Sequence, residues 1–485
     1  MKNSYNNPNK EKHTGREKPL IFFLTIVTVS VSLNIGISLY IIPKISLEFG
    51  NTIAEWGLII QSIFIISLYL FFGKVGDIIG LSAMCRYGSC LLAAGYYSFF
   101  LCNDSTGYLI ASLLTGIGTA MFSSVSSGQI RNYITPSHIP FGFSLLFIGF
   151  GAGFIFGPFL VEMIEILFSW HIYYLILTPL PLLLVILYPR FIDCRPNRIS
   201  LKMIDVPCAI LLMFTLFFIY SALIQILKQH LTPSEILFLI LGFFSFIVLV
   251  FYEKKAKMPF LDLNLIKRPD IITLILVLMI MVLMYRSYLF YFQLYFEEIV
   301  NVSSHMSSVF LLIQGISFLP LAIIIGYFGR NWEKERFIKV CILGCVIGIL
   351  GVLIHGLFYI QYPMVALVIF GAYNVCIRIS SYTLYFLSVS PEESGIAGGM
   401  IETGVAFVNP IVITVTGFFF HLGFQVYSPG PICWQKIGEG FSYGNLGLSI
   451  FYIFCIIIQI ILLIWLKKSS HRLLHKEYSA FQQKL

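Results

Sequence analysis

Long apolar runs recur from one end of the chain to the other, and they constrain its fold more than any other feature. Hydrophobic residues make up 58% of the sequence and charged residues only 11%. A helix needs about twenty apolar residues to cross a bilayer. We therefore predict an all-α polytopic membrane protein with about fourteen transmembrane helices. The predicted spans lie at about 20–43, 54–72, 83–101, 108–130, 141–166, 171–189, 205–227, 234–252, 271–293, 307–328, 337–357, 363–386, 397–421 and 446–466.

Charged residues lie mainly in alternate segments between these runs. Most of the 31 Lys and Arg residues fall in the predicted inner segments, and the outer segments contain only Lys44, Lys228 and Lys436. Lys and Arg are enriched on the cytoplasmic side of membrane proteins. The pattern therefore predicts an even number of spans, two cytoplasmic termini and a location in the inner or plasma membrane. We attribute the net charge of +8 to this topology and to contact with anionic lipid, and not to nucleic acid.

The sequence contains no pattern typical of cofactor, metal or nucleophile chemistry. Its histidines are dispersed, and it lacks the G-x-x-x-x-G-K-[ST] loop that binds nucleotide phosphates. We therefore predict no cofactor, no metal site, no enzymatic activity and no ATP-driven pump.

Residues 149–158, in the predicted fifth span, have the sequence GFGAGFIFGP. Gly149, Gly153 and Gly157 recur every four residues and share one helix face, and small residues in this spacing let a neighbouring helix approach closely. Pro158 follows directly, removes a backbone donor and favours a bend. The alternative is a plain packing seam, which needs the glycines but not the proline.

Residues 73–80, after the second span, have the sequence GKVGDIIG. Gly73 and Gly80 frame a predicted inner loop, and Asp77 lies near the start of the third helix. A carboxylate is favourable at a helix N-terminus, so we expect Asp77 to cap that helix. The alternative is a capped turn with no further role.

The two segments resemble two motifs of the major facilitator superfamily. Residues 73–80 resemble the motif between spans two and three, which acts as a conformational latch in that family, and residues 149–158 resemble the fifth-span motif that marks antiporters. The resemblance is to the fourteen-span drug:proton antiporter branch (multidrug efflux permeases). It implies two six-helix bundles, an inserted helix pair and rocker-switch alternating access about a central cavity.

Several positions depart from that family's pattern. The basic residues usual in the latch motif are replaced by Ile78, Leu81 and Ser82, and the arginine of the fourth span by Ser112. The first-span acid is replaced by Asn34, and an amide does not exchange a proton near neutral pH as a carboxylate does. Asn34 is therefore either a remnant of the proton pathway or a donor in an interhelical hydrogen bond.

Five further residues are candidates for the proton and substrate pathway. Arg286 lies among aromatic residues, including Tyr288 and Tyr291, in the ninth span. An intramembrane arginine is costly unless it is paired or hydrated, so we expect it to line a cavity. Arg378 and Glu402 lie in consecutive spans and are expected to pair. Either they form a structural ion pair, or Glu402 is the titrating carboxylate that couples transport to protons.

The predicted organisation is a cytoplasmic tail at 1–19, a six-helix bundle at 20–189, a linker at 190–204, an inserted helix pair at 205–252, a second bundle at 253–466 and a tail at 467–485. We predict a monomeric secondary exporter of small amphipathic molecules, coupled to H+ by antiport. The alternatives are a narrow exporter of an anionic metabolite or siderophore, and a non-transporting sensor. The expected partners are the substrate, the lipid bilayer and, in a double-membrane cell, a periplasmic adaptor.

Overall fold

The computed structural model describes residues 17–165, 169–188, 206–227, 233–255, 267–294, 304–358, 363–409 and 437–482, together with 265, 296, 411–412, 415 and 417–419. Throughout these residues the secondary structure is helical, without β-strands. The helices are α1 (Glu17–Phe49), α2 (Asn51–Ile79), α3 (Leu81–Leu101), α4 (Ser105–Tyr133), α5 (Ile139–Glu165), α6 (Trp170–Leu177), α7 (Pro179–Leu187), α8 (Val206–Leu227), α9 (Pro233–Lys255), α10 (Pro269–Leu294), α11 (Ser304–Phe328), α12 (Lys334–Phe358), α13 (Pro363–Ser388), α14 (Ser394–Phe407) and α15 (Ile437–Gln482).

Within the described residues, nine helices are long and apolar enough to cross a membrane. An all-α polytopic architecture is therefore confirmed, whereas the total of about fourteen spans stays a prediction. Two predicted boundaries differ from the structure. Helix α2 continues through the predicted inner loop to Ile79, and α15 continues through most of the predicted C-terminal tail to Gln482.

The chain divides into two compact units. The first unit comprises Met1–Leu263 and Val389–Ala406, and the second comprises Asn264–Ser388 and Phe407–Leu485. The segment 389–406, which includes most of α14, therefore packs with the first unit although it is flanked in sequence by the second. The predicted division into two six-helix bundles with an inserted pair stays a prediction.

Helix pairs in the first unit pack along much of their length. The main pairs are α3 with α4, α2 with α4, and α1 with α5. Helices α8 and α9 pack on each other, and α8 also contacts α2, where the rings of Trp56 and Phe217 stack with centroids 6.2 Å apart.

In the second unit, α13 packs against α10, α11 and α12, and α15 packs against α10 and α12. Buried polar side chains join these helices. Gln459 on α15 donates to the Val277 carbonyl on α10 (2.9 Å) and accepts from the Tyr373 hydroxyl on α13 (2.8 Å). A buried hydrogen bond in a low-dielectric interior fixes register as well as adding stability.

The α1–α5 contact shows why α5 carries its glycines. Cβ atoms added to Gly149 and Gly157 would lie 3.0 Å from the Thr25 carbonyl oxygen and 3.1 Å from the Leu33 carbonyl oxygen of α1. At Gly153 the added atom would come still closer to α1. The predicted close approach of a neighbouring helix is therefore confirmed.

Gly153 has the tightest contact of the three. An added Cβ would overlap the Val29 carbonyl oxygen and the Ser32 hydroxyl, and would lie 2.9 Å from the Leu33 nitrogen. The helix continues through Pro158, whose side chain lies outside the described part of the chain.

Replacing Gly153 with Ala should destabilise the first unit. Two of the three atoms that a new methyl group would meet belong to the α1 backbone and cannot rotate away, so the helices must separate. We expect a cost of about 1–3 kcal/mol, measured as a lower midpoint of thermal unfolding of the purified chain in detergent. Gly142→Ala on the same helix is the matched control, since its nearest neighbours are Ile130 and Ile134 side-chain methyl groups at 3.1 Å. Equal midpoints for the two variants would contradict this account of the seam.

Candidate functional site

The start of α14 lies in a contact that only glycine permits. It has the sequence SGIAGG and meets α2 and α4 at their C-terminal ends. A Cβ added to Gly73 would overlap the Gly395 carbonyl and lie 3.2 Å from the Gly399 Cα, and one added to Gly399 would lie 2.5 Å from the Tyr69 carbonyl oxygen. The backbones of α2 and α14 therefore touch directly.

Helix α4 makes the same kind of contact with α14. A Cβ added to Gly128 would lie 2.6 Å from the Ser394 carbonyl oxygen, and one added to Gly398 would overlap the Ser124 carbonyl oxygen. Backbone therefore meets backbone at the start of α14, and polar groups complete the contact at the end of the helix.

Asp77 supplies the most distinctive of these polar groups. Its two carboxylate oxygens accept hydrogen bonds from the backbone nitrogens of Gly395 and Ile396, each at 2.7 Å. These amides belong to the first turn of α14, where backbone donors have no partner within the helix. A carboxylate there also interacts favourably with the helix dipole. Asp77 therefore caps a helix that starts 317 positions further along the chain than itself.

The prediction that Asp77 caps the third helix is wrong. Asp77 lies inside α2, which ends at Ile79, and α3 begins directly after Gly80 with no side-chain cap. Gly80 makes this sharp connection with φ of 115°, a conformation that glycine adopts readily. Gly80 thus has the turn role that its position suggested, while Asp77 is directed towards α14.

Arg131, in the last turn of α4, makes a second polar contact with this region. Its Nε donates to the Val389 carbonyl oxygen at 2.9 Å. Val389 is the first residue of the segment that packs with the first unit. Sequence reasoning missed this residue, because a single basic residue at the inner end of a span is ordinary. The signal was its position three residues after Gly128, on the same helix face.

Glu402 lies two turns further along α14 than the capped amides. The Ser127 hydroxyl of α4, which is buried, donates to Glu402 Oε1 at 3.5 Å. Arg378 lies on α13, in the second unit. The predicted pairing of Glu402 with Arg378 stays a prediction, and Ser127 is a polar neighbour of Glu402 that the sequence did not single out.

Asn34 is buried within the first unit, with 3% of its surface exposed. It lies on α1, directly after Leu33, which forms part of the α1–α5 seam. A place in the proton pathway and an interhelical hydrogen bond both stay predictions for Asn34.

The aromatic candidates of the second unit lie on α10. Tyr288 is buried, stacks on Phe370 with ring centroids 4.2 Å apart, and meets His355 edge-to-face at 5.1 Å. Tyr291 is also buried, while Arg286 is partly exposed. Tyr288 is therefore part of the packed interior of the second unit, and whether Arg286 and Tyr291 line a substrate pathway stays a prediction.

Metal-binding residues do not cluster in the described part of the chain, where no group of three or more His, Cys, Asp or Glu side chains is close enough to hold an ion. The site that the geometry defines is thus a capped, glycine-lined helix contact in an all-helical membrane protein.

The chain belongs to the Major Facilitator Superfamily, whose family model matches residues 24–412. It is therefore a multi-pass membrane transporter, in a family of transporters rather than enzymes. Among curated proteins, it is 19% identical over 392 residues to the riboflavin transporter RibZ of Clostridioides difficile, covering 80% of this chain and 85% of that protein. It is also 21% identical over 418 residues to the MFS-type transporter YvkA of Bacillus subtilis, covering 85% and 93%.

Solved structures show the same fold. The human organic anion transporter MFSD10 superposes with a TM-score of 0.64 at 14% identity, covering 92% of this chain and 99% of that one. The proton:xylose symporter XylE superposes with a TM-score of 0.56 at 14% identity, covering 91% and 96%. These likenesses establish the fold.

Proposed function

We propose that this protein is a secondary active exporter of small amphipathic molecules that works by alternating access and is driven by proton antiport. The observation that carries the proposal is the Asp77 carboxylate on the first amides of α14, within a contact lined by glycine. This arrangement has the properties of a latch that forms and releases once in each transport cycle.

The latch can be released because breaking the contact between Asp77 and the α14 amides costs little free energy. A carboxylate at a helix N-terminus contributes about 0.3–2 kcal/mol, and both partners are rehydrated once they separate at the membrane edge. The glycines that line this contact on α2, α4 and α14 let the helix backbones meet directly. In the proposed cycle, segment 389–396 leaves and rejoins the ends of α2 and α4.

Glu402 is our candidate for the coupling carboxylate. It lies on the same short helix as the capped amides, and it accepts a hydrogen bond from the neutral Ser127 hydroxyl at 3.5 Å. A hydroxyl can donate to a carboxylate and accept from a carboxylic acid, so Ser127 suits both protonation states. Because Asn34 stands at the first-span position where the antiporters have an acid, coupling requires a carboxylate elsewhere.

Asp77→Asn should weaken the latch while preserving the shape of the side chain. The neutral amide keeps one acceptor oxygen but loses the charge–dipole attraction and one hydrogen bond. We expect the closed state to be disfavoured by about 1–2 kcal/mol, or roughly five- to thirtyfold, and uphill efflux to slow accordingly. The matched control is Asp104→Asn, which makes the same change at the N-terminus of α4, where Asp104 accepts from the Gly107 nitrogen at 2.9 Å. Equal efflux rates in the two variants would argue against a latch at Asp77.

Glu402→Gln should uncouple transport from the proton gradient. The test is efflux of a fluorescent lipophilic cation from cells that lack their own pumps, with and without a protonophore. We expect protonophore-sensitive efflux for the wild type. In Glu402→Gln, uphill efflux should be lost while downhill equilibration in proteoliposomes persists, because a neutral amide still permits the conformational change. Glu333→Gln, at an exposed position, should behave as wild type. Wild-type efflux that survives the protonophore would exclude proton antiport.

A second candidate is a narrow exporter of an organic anion or a flavin-like compound. It is favoured by two findings, the likeness to a riboflavin transporter and the fold shared with an organic anion transporter. Arg286 is a partly exposed cation on α10, a helix rich in aromatic residues, and a cation beside aromatic rings suits a planar or anionic ligand.

Arg286→Gln separates the two candidates. If the substrate is an anion, export of carboxyfluorescein should fall at least about tenfold in Arg286→Gln, since a charged hydrogen bond is worth about 1.5–3 kcal/mol. Arg286→Lys, which keeps the charge, should retain most of the activity. Riboflavin, followed by its own fluorescence, tests the neutral aromatic class in parallel. If the wild-type chain exports neither compound, the second candidate is wrong.

A further inference from the structure

The segment 389–396, which joins the end of α13 to the start of α14, is held at both ends by opposite charges. At its first residue, the Val389 carbonyl accepts from Arg131 Nε at 2.9 Å. At its last two residues, the Gly395 and Ile396 amides donate to Asp77 at 2.7 Å. Arg131 lies on α4 and Asp77 on α2, so two different helices hold the one segment.

Each charge matches the backbone group that it meets. Val389 directly follows the last residue of α13, and carbonyls at a helix C-terminus have no partner within the helix. A cation is favourable there, as an anion is at the N-terminus of α14. The guanidinium group stays charged at every physiological pH and offers its donors in a rigid plane. The segment therefore presents a carbonyl to the cation and amides to the anion.

The residues between these two ends are stiffened by a contact of their own. The Ser390 hydroxyl donates to Glu393 Oε2 at 2.9 Å across the short 3-10 turn Pro391–Glu393. The Glu393 nitrogen also donates to the Ser390 carbonyl oxygen at 3.3 Å, so backbone and side chain both close this turn. A stiff segment transmits a displacement from one end to the other, so the contacts at Val389 and at Gly395 are expected to form and break together.

Helix α4 meets the segment at a second point on the same face as Arg131. Gly128 precedes Arg131 by one helical turn and lies against the Ser394 carbonyl, with space for no Cβ. This close approach places the α4 backbone along the segment, and it brings Arg131 within reach of Val389.

We propose that Arg131 is a positioning residue of the transport cycle, which together with Asp77 forms a two-point clasp of opposite charge on segment 389–396. The inference rests on the proposed function, because it extends the Asp77 latch to a second residue. At the end of α2 and the start of α3, Ile78, Leu81 and Ser82 occupy positions where basic residues are usual in the family motif that this segment resembles. In this chain the positive charge of the clasp comes from α4 instead.

Hydrogen–deuterium exchange on the purified full-length chain tests the clasp without any knowledge of the substrate. In Arg131→Gln, the amides of Ser390 and of residues 392–396 should exchange about tenfold faster than in the wild type, because a charge-assisted hydrogen bond is lost. Arg131→Lys keeps the charge and a donor and should recover part of the protection. The control is Arg336→Gln, which removes an exposed arginine of the second unit and should leave this segment unchanged.

A double variant tests whether Arg131 and Asp77 act on one element. If both hold the same stiff segment, Asp77→Asn combined with Arg131→Gln should raise exchange by less than the product of the two single effects. In transport assays, Arg131→Gln should lower the maximum efflux rate and leave the half-saturating substrate concentration unchanged, since the residue positions the backbone and does not bind substrate. Arg131→Lys should restore part of that rate.

The failure of the clasp and the failure of the proposed function give different results. Exchange within twofold of wild type in Arg131→Gln, or strictly independent effects in the double variant, would overturn the clasp. A wild-type chain that moves no substrate in any assay would overturn the proposed function, whereas the exchange comparison would still decide whether Arg131 and Asp77 hold the segment together. If Arg131→Gln fails to insert or fold, Arg131→Lys carries the test, with intermediate protection expected and wild-type protection contradicting the geometry.

Discussion

The site described here depends on one interaction, a carboxylate on the free amides at the start of a helix. Asp77 meets both amides at 2.7 Å because three conditions hold at once. Helix α2 extends to Ile79 and presents Asp77 from its last turns, Gly80 lets the chain turn directly into α3, and glycines on both sides let α14 approach. A methyl group on Gly73 would separate the backbones and lengthen both hydrogen bonds. The close approach that the glycines allow and the capping of α14 by Asp77 therefore depend on each other.

The first unit contains two kinds of glycine contact, and their physical difference matches different roles. In the α1–α5 seam, glycines of α5 face the backbone and the side chains of Thr25, Val29 and Ser32, so the helices interlock over several turns. At α14, glycine contacts bring backbone against backbone, and Asp77 and Arg131 add charged hydrogen bonds around the start of the helix. In the described part of the chain, the α1–α5 seam has no such charged groups among its glycine contacts, and it is at α14 that we propose a reversible contact.

Local patterns in the sequence predicted well, and long-range partners did not. Runs of about twenty apolar residues indicate a membrane protein by length alone, and the four-residue spacing of Gly149, Gly153 and Gly157 predicted a close helix contact, because spacing along one helix determines a face. The partner of Asp77 lies 318 residues away, and a nearer helix start offered an equally good local explanation, so the cap was assigned to the wrong helix. Arg131 gave only a weak local signal, its position one turn after Gly128, since a basic residue is expected at the inner end of any span.

The position of Glu402 connects the proposed latch to the proposed coupling. In this chain the first-span position of the family's acid is Asn34, whose amide cannot carry the proton. Glu402 lies on α14 itself, the helix whose first turn Asp77 holds, and it faces Ser127 on α4, one helical turn before Arg131. Protonation there would change the charge of the element that moves, and would do so on the same face of α4 that the clasp uses. In the proposed mechanism, a proton bound at this point would act directly on the contact that opens, without a relay through the rest of the first unit. Coupling and gating would then be two properties of one short helix, which explains how a transporter could retain proton coupling after the acid of its first span is lost.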